Sequence, residues 1–159
     1  MTKQTEEASS ADATAPKVAV FFYGSFINLE VLAKSDLRPD EVEVARLPGF
    51  DLRIQPLANI VRSDRHVVYG IVCEATHAEL TRIYGQDWVG TYLPEAVLVE
   101  TDGGRWIPAL CYIDPSPKPA PAALDYIERI AGPARAFGFP DWYVERIEGF
   151  RVSSEQRNA

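Results

Sequence analysis

Runs of apolar residues between polar stretches divide the chain into short strands and helices. The apolar run at residues 18–23 is typical of a buried strand, and it stops at Gly24. Asn28 is placed to cap a short helix over residues 29–33. A glycine turn at a strand end exposes backbone N–H groups, so this junction is a candidate site for an anionic or carbonyl oxygen. An ordinary strand-to-helix turn is the alternative interpretation.

The next part of the chain is predicted to be mostly strand. The predicted elements are strands at residues 41–47, 50–55 and 67–73, a turn at Pro48 and Gly49, and a polar loop at residues 59–65. Gly70 interrupts the third strand, which indicates that a neighbouring backbone or a ligand approaches closely there.

A helix and a hairpin follow. Thr76 and Glu79 have the spacing of a capping box, which predicts a short helix through Leu80 and Ile83. Strands are predicted at residues 92–100 and 106–113, around an Asp-Gly-Gly turn at residues 102–104.

The last third of the chain has a helical pattern. After a proline-rich connector at residues 115–121, apolar residues recur at helical spacing from Leu124 to Ala131, and a last short helix is predicted at residues 140–147. Strands followed by helices predict an α+β fold with a curved sheet or small barrel. The polar ends are predicted to be tails, at residues 1–16 and 151–159, around one domain at residues 17–150.

Composition narrows the class of protein. With 159 residues, 47% of them hydrophobic, the chain is long enough for one domain with a sizeable core. A net charge of −7 argues against nucleic acid or an anionic membrane as a partner. No apolar stretch approaches the about 20 residues that span a bilayer, and the polar N-terminus predicts a cytoplasmic location.

The cysteines and histidines do not have metal-ligand spacing. Cys73 and Cys111 lie in apolar strands and are predicted to be buried free thiols. His66 follows a charged loop and His77 begins a predicted helix, so both are interpreted as surface or capping residues. No metal site is predicted.

Five segments carry a family pattern in a fixed order. They are Phe22-Tyr23-Gly24-Ser25, Leu47-Pro48-Gly49-Phe50, Ala58-Asn59-Ile60, residues 68–72 and residues 131–143. Together they resemble the γ-glutamylcyclotransferase-like superfamily over residues 18–149. The resemblance implies an α+β fold built on a small mixed β-barrel, with the substrate pocket at its mouth. It also implies conversion of a small γ-glutamyl amine or dipeptide to 5-oxoproline and a free amine or amino acid, with no cofactor.

The resemblance assigns the general acid/base to Asp87. The family has a Glu there, in a Leu-Asp-x-x-Glu-Gly segment, and residues 83–92 stand at the matching place. Such a group takes a proton from the α-ammonium and passes it to the leaving amine. Asp is shorter by one methylene, and a displacement of about 1 Å costs about a hundredfold in rate. A turn-capping or solvent-facing carboxylate is the alternative interpretation.

The resemblance also implies the substrate-binding residues. They are Tyr23, Gly24, Ser25, Phe26, Tyr92 and Tyr112. Backbone N–H groups of the glycine turn would polarise the δ-carbonyl oxygen. Phe26 stands where some subfamilies place Asn. For the two later tyrosines, a purely structural role in the core is the alternative.

Three hypotheses for function follow. The first is a γ-glutamyl cyclotransferase. The second is a catalytically impaired homologue that binds small molecules, because Asp87 replaces the family's Glu. The third is an interaction domain without a small-molecule site, which requires the Gly24-Ser25 turn to be covered.

Overall fold

Five strands close into a mixed barrel. The computed structural model describes residues 15–118, 120 and 122–157, with side chains as far as residue 151. The strands are β1 (Lys17–Phe22), β2 (Glu43–Ile54), β3 (Ala58–Thr76), β4 (Leu93–Thr101) and β5 (Trp106–Ile113), in the spatial order β1-β3-β2-β4-β5. β1 and β5 are parallel and the other neighbours are antiparallel. The predicted α+β fold with a small mixed barrel is confirmed. Most of the predicted N-terminal tail lies outside the described residues.

β1 and β3 approach each other closely at Gly70. The strands pair antiparallel, with Phe22 opposite Ile71. A Cβ on Gly70 would lie 2.1 Å from the carbonyl oxygen of Phe22 and 2.7 Å from the Phe21 ring. The predicted close approach of a neighbouring backbone is therefore confirmed.

The predicted turn at Pro48 and Gly49 is wrong. β2 is one strand through this point, with a bulge between Pro48 and Phe50. Gly49 has a φ of +90°, a conformation that favours glycine, and proline has no N–H to lose from the ladder. One extra residue is thus absorbed without ending the strand.

The predicted polar loop at residues 59–65 is also wrong. These residues belong to β3, and the first part of that strand pairs with the end of β2, with Ile60 opposite Leu52 and Ala58 opposite Ile54. All four of these side chains are buried. Burial of these paired apolar side chains outweighs the local polarity that predicted a loop.

Two short helices are capped as predicted. α1 (Leu29–Lys34) follows a 3₁₀ turn at Ser25–Ile27, and the Asn28 side chain accepts a hydrogen bond from the Glu30 N–H at 3.0 Å. α2 (His77–Tyr84) begins with a complete capping box. Thr76 N–H donates to Glu79 Oε1 at 2.9 Å, and Glu79 N–H donates to Thr76 Oγ1 at 3.1 Å.

The C-terminal helices pack on each other beside the barrel. α3 (Leu124–Ala136) buries Ile127, Ile130 and Ala131, as its pattern predicts. α4 (Asp141–Arg157) is longer than the predicted helix and continues through residues that the sequence assigned to a C-terminal tail. Residues 119 and 121 of the proline connector lie outside the described residues.

A buried carboxylate fixes α4 to β2. Asp51 is 4% exposed, its Oδ1 accepts from Arg146 Nη2 of α4 at 2.6 Å, and its Oδ2 pairs with Arg53. A buried charge is costly unless it is paired, and both carboxylate oxygens here have a cationic partner. Asp51, Arg53 and Arg146 are called the Asp51 cluster below.

The cysteines and histidines lie as predicted. Cys73 and Cys111 are free and buried, and burial raises the pKa of the Cys73 thiol from 9.0 to about 12. His66 is exposed, and His77 is the exposed first residue of α2.

Candidate functional site

The turn after β1 is tight and approaches β3. Ile27 N–H donates to the Gly24 carbonyl and Asn28 N–H to the Ser25 carbonyl, each at 3.1 Å. These bonds use the N–H groups of Ile27 and Asn28, and the Ser25 backbone is hydrogen-bonded to the Tyr126 hydroxyl. A Cβ on Gly24 would lie 2.7 Å from the Ala58 Cβ, so only glycine allows this approach. Residues 24–26 are called the Gly24 turn below.

Tyr126 of α3 covers the Gly24 turn, and sequence reasoning assigned it no role. Its buried hydroxyl accepts a hydrogen bond from the Ala58 N–H at 2.8 Å. Burial raises its pKa, while hydrogen bonding from Ala58 and Ser25 acts in the opposite direction. The available signal was its place beside Ile127 on the apolar face of the predicted helix.

A pocket opens beside the Gly24 turn at the barrel mouth. Its cavity volume is about 30 Å³, and it is open to solvent. Five of the predicted site residues line it, namely Tyr23, Gly24, Ser25, Phe26 and Tyr92. The other residues of the lining are Phe22, Leu57, Ala58, Tyr84, Trp88, Val89 and Tyr126. The pocket wall is therefore mainly aromatic, with the polar backbone of the turn at one end.

The tyrosine hydroxyls of this wall are held by the backbone. Tyr23 donates to the Tyr112 carbonyl at 2.6 Å, and Tyr92 donates to the Ala58 carbonyl. Burial raises the pKa of both phenols, so both are neutral donors near neutral pH. Because the hydroxyls are already engaged, the rings have fixed positions.

Tyr112 lies behind the pocket. Its ring stacks on Tyr84 with centroids 3.9 Å apart and planes within 9°. Tyr84 lines the pocket and Tyr112 does not. Family resemblance pointed to Tyr112, whereas the ring at the pocket surface is Tyr84, which stands where the family has Asp.

Asp87 lies at the rim, in the turn after α2. Gln86 shapes this turn, since its Nε2 donates to the Ile83 carbonyl at 2.9 Å and its Oε1 accepts from Trp88 Nε1 at 3.2 Å. Asp87 is exposed and does not line the pocket, but the next two residues do. The Trp88 ring lies 5.8 Å from that of Phe26, so this turn and the Gly24 turn are at the same end of the barrel.

No three His, Cys, Asp or Glu side chains of the described residues lie together so as to hold a metal ion. Within the same part of the chain, no helix has the length and apolar character needed to cross a membrane.

Solved structures reveal what the chain is similar to. No family model matches the sequence, and no curated protein matches it. A structure described as γ-glutamyl cyclotransferase is 26% identical, with a TM-score of 0.69, over 84% of this chain and 87% of its own. The chain has the γ-glutamyl cyclotransferase fold. The predicted superfamily resemblance is thus confirmed.

Two more distant structures share this γ-glutamyl cyclotransferase-like fold. YkqA from Bacillus subtilis is 19% identical, with a TM-score of 0.70, over 90% of this chain and 57% of its own. A yeast γ-glutamyl cyclotransferase specific to glutathione is 12% identical, with a TM-score of 0.62, over 87% of this chain and 96% of its own. At these identities the likeness concerns the fold alone.

Proposed function

We propose that the protein is a γ-glutamyl cyclotransferase that releases 5-oxoproline from a small γ-glutamyl compound in the cytoplasm. One observation carries the proposal. The Gly24 turn, Tyr92 and the turn that bears Asp87 meet at a single pocket in the barrel mouth. The 26% identical γ-glutamyl cyclotransferase structure supports the same reaction class.

The reaction rearranges one amide. The α-amine of the γ-glutamyl group attacks its own δ-carbonyl carbon, and a new C–N bond closes the five-membered ring. The bond from that carbon to the leaving nitrogen then breaks. The α-ammonium loses two protons as it becomes the ring N–H. One base carries them in turn to the leaving nitrogen, which departs as an ammonium ion, so atoms and charge balance.

In this proposal the Gly24 turn binds the oxygen that becomes negative during attack. Backbone N–H groups at the end of β1 supply fixed dipoles, which stabilise a developing oxyanion without reorganising. Tyr126 lies against the same turn and is neutral, so it adds a hydroxyl and no competing charge. The aromatic rings around it lower the local dielectric constant, which strengthens these interactions.

Asp87 is the proposed proton carrier. It is the carboxylate in the turn whose next two residues line the pocket. Its side chain is exposed, so it must turn inward over the rim when substrate binds. Since Asp is shorter than Glu by one methylene, the reaction depends on how closely the turn after α2 approaches the substrate.

A binding protein without turnover is the second candidate. The observation that favours it is that no Asp or Glu is present among the described residues lining the pocket. Such a protein keeps the Gly24 turn and the aromatic wall and lacks a proton carrier within reach. The third hypothesis, a domain without a ligand site, is not favoured, because Gly24 lines an open pocket.

Two measurements on the purified chain test the proposal. Release of 5-oxoproline from γ-glutamyl amides and dipeptides is assayed, and thermal unfolding is followed with 5-oxoproline present. We expect both release and a raised midpoint. Stabilisation without release would favour the binding protein, and the absence of both would overturn both candidates.

A further inference from the structure

The pocket has two chemically different ends. At the inner end lie Ser25 and Tyr126, both buried. At the open end, Phe26 lies 5.4 Å from the Tyr84 ring and 5.8 Å from the Trp88 ring, and Trp88 is 47% exposed. A bound γ-glutamyl group with its oxygens at the inner end would therefore direct its leaving amine toward aromatic rings.

Cations are missing from this lining. Within the described chain, no Lys, Arg or His lines the pocket. The arginine nearest Tyr84 along α2 is Arg82, which donates to the Ser35 and Asp36 carbonyls. Arg129, one turn from Tyr126, pairs with Asp125. A carboxylate on the leaving amine would lose water without gaining a cationic partner.

A negative charge near Tyr92 acts in the same direction. Burial and then Tyr126 raise the pKa of Tyr92, and the Asp114 carboxylate adds to them. The Asp114 backbone is fixed to β3 by Asn59, whose Nδ2 donates to the Asp114 carbonyl at 2.9 Å and whose Oδ1 accepts from the Asp114 N–H at 3.0 Å. A second anion beside Tyr92 would be repelled by this charge.

Resting on the proposed function, we infer that the leaving group is an amine with an apolar, preferably aromatic, carbon chain and no carboxylate. An arylalkylamine buries its ring against Phe26 and Trp88 at the open end. An amino acid of the same carbon skeleton adds an unpaired carboxylate there. The site therefore acts on γ-glutamyl amides of apolar amines in preference to γ-glutamyl dipeptides.

Matched substrates test this inference. γ-Glutamyl-phenethylamide and γ-glutamyl-phenylalanine differ by one carboxylate, as do γ-glutamyl-ethylamide and γ-glutamyl-alanine. With 5-oxoproline release as the assay, we expect kcat/KM to be about tenfold or more higher for each amide than for its amino acid partner. We also expect the phenethylamide to exceed the ethylamide.

The preference for amides and the proposed cyclotransferase activity are overturned by different results. If each dipeptide is turned over as well as its matching amide or better, the inference is overturned and the proposed cyclotransferase stands. If none of the four compounds releases 5-oxoproline, the proposed function is overturned, and the inference is overturned with it.

Substitutions of Trp88 test whether this residue provides the preference for an aromatic amine. Trp88→Ala should reduce the advantage of phenethylamide over ethylamide about tenfold, and Trp88→Phe should restore most of it. Trp106→Ala is the matched control, because Trp106 is 50% exposed and does not line the pocket. Equal effects of Trp88→Ala and Trp106→Ala would overturn the aromatic subsite. Thermal unfolding of each variant verifies that the fold is retained.

Discussion

Two aspartates of this molecule are in opposite environments. Asp51 is buried between β2 and α4, and its two oxygens pair with Arg53 and Arg146. Asp87 is exposed on a turn at the barrel mouth, and no hydrogen bond or ion pair of its side chain is found in the described part of the chain. The Asp51 carboxylate is fully paired within the fold, whereas the Asp87 carboxylate is available to contact a substrate.

The two carboxylates therefore suit different roles, Asp51 in stabilising the fold and Asp87 in proton transfer. Both oxygens of Asp51 are engaged by arginines, so replacing this residue weakens the contact between β2 and α4. An exposed carboxylate loses little by changing partner, and Asp87 sits beside a pocket without charged residues in its described lining. Asp87 is therefore expected to transfer protons at the barrel mouth, and the Asp51 cluster is expected to stabilise the fold.

The largest expected effect is on catalysis by Asp87→Asn. The amide keeps the shape of the side chain and cannot accept the α-ammonium proton, so 5-oxoproline release should fall by about 10²–10⁴-fold. Asp87→Glu restores the family's reach and should preserve or raise turnover. Steady-state kinetics with thermal unfolding measures both effects. Turnover by Asp87→Asn equal to that of the unchanged protein would show that Asp87 is not the base.

The next largest effect is expected for a substitution of Asp51, and it is an effect on stability rather than on catalysis. Asp51→Asn removes the charge between two partly exposed arginines, and we expect the free energy of unfolding to fall by about 2–3 kcal/mol. Urea unfolding measures it. The matched control is Asp125→Asn, which breaks an exposed ion pair and should cost about 0.5 kcal/mol or less. Equal losses in the two variants would contradict a structural role for the Asp51 cluster.

A smaller effect is expected where Tyr126 covers the Gly24 turn. Tyr126→Phe leaves the Ala58 N–H without its acceptor, which should cost about 1–3 kcal/mol of stability. Tyr143→Phe serves as the control, since that hydroxyl lies 3.5 Å from its acceptor, at the limit of a hydrogen bond. Urea unfolding of the two variants should rank Tyr126→Phe as the more damaging, and the reverse order would contradict this role for the hydroxyl.

The smallest effect is a loss of stability in alkali. Burial raises the pKa of Cys73 to about 12 from 9.0, and it also raises the pKa of Tyr23 and Tyr84. The unfolded chain therefore loses these protons first as pH rises. The stabilisation is complete below pH 9, and Cys73 alone should lose about 1 kcal/mol of it by pH 10. Urea unfolding between pH 8 and pH 11 tests this, and a constant free energy across that range would contradict it.

The sequence predicted local features better than long-range ones. The capping box at Thr76 and the close approach at Gly70 depend on residue types at fixed spacing, and both are confirmed. The continuous strands through Gly49 and through residues 59–65 depend on the pairing of β2 with β3, which residue type alone does not reveal, so local polarity predicted breaks that are not there.

The same limit applies to the pocket. Family resemblance indicated the Gly24 turn and Tyr92, because the motif residues are adjacent in sequence or have family spacing. Tyr126 and Trp88 reach the pocket only through the packing of α3 and of the turn after α2. The helical spacing places Tyr126 beside Ile127 on the apolar face of α3, but the sequence around either residue does not show that it reaches the pocket.

The most direct test of the account is a crystal structure of the protein with 5-oxoproline. We predict that the product binds in the barrel mouth, with its carbonyl oxygen against the backbone N–H groups of the Gly24 turn and its ring between Tyr92 and Phe26. A product molecule bound elsewhere, with the Gly24 turn empty, would contradict the central claim that this turn is the substrate site.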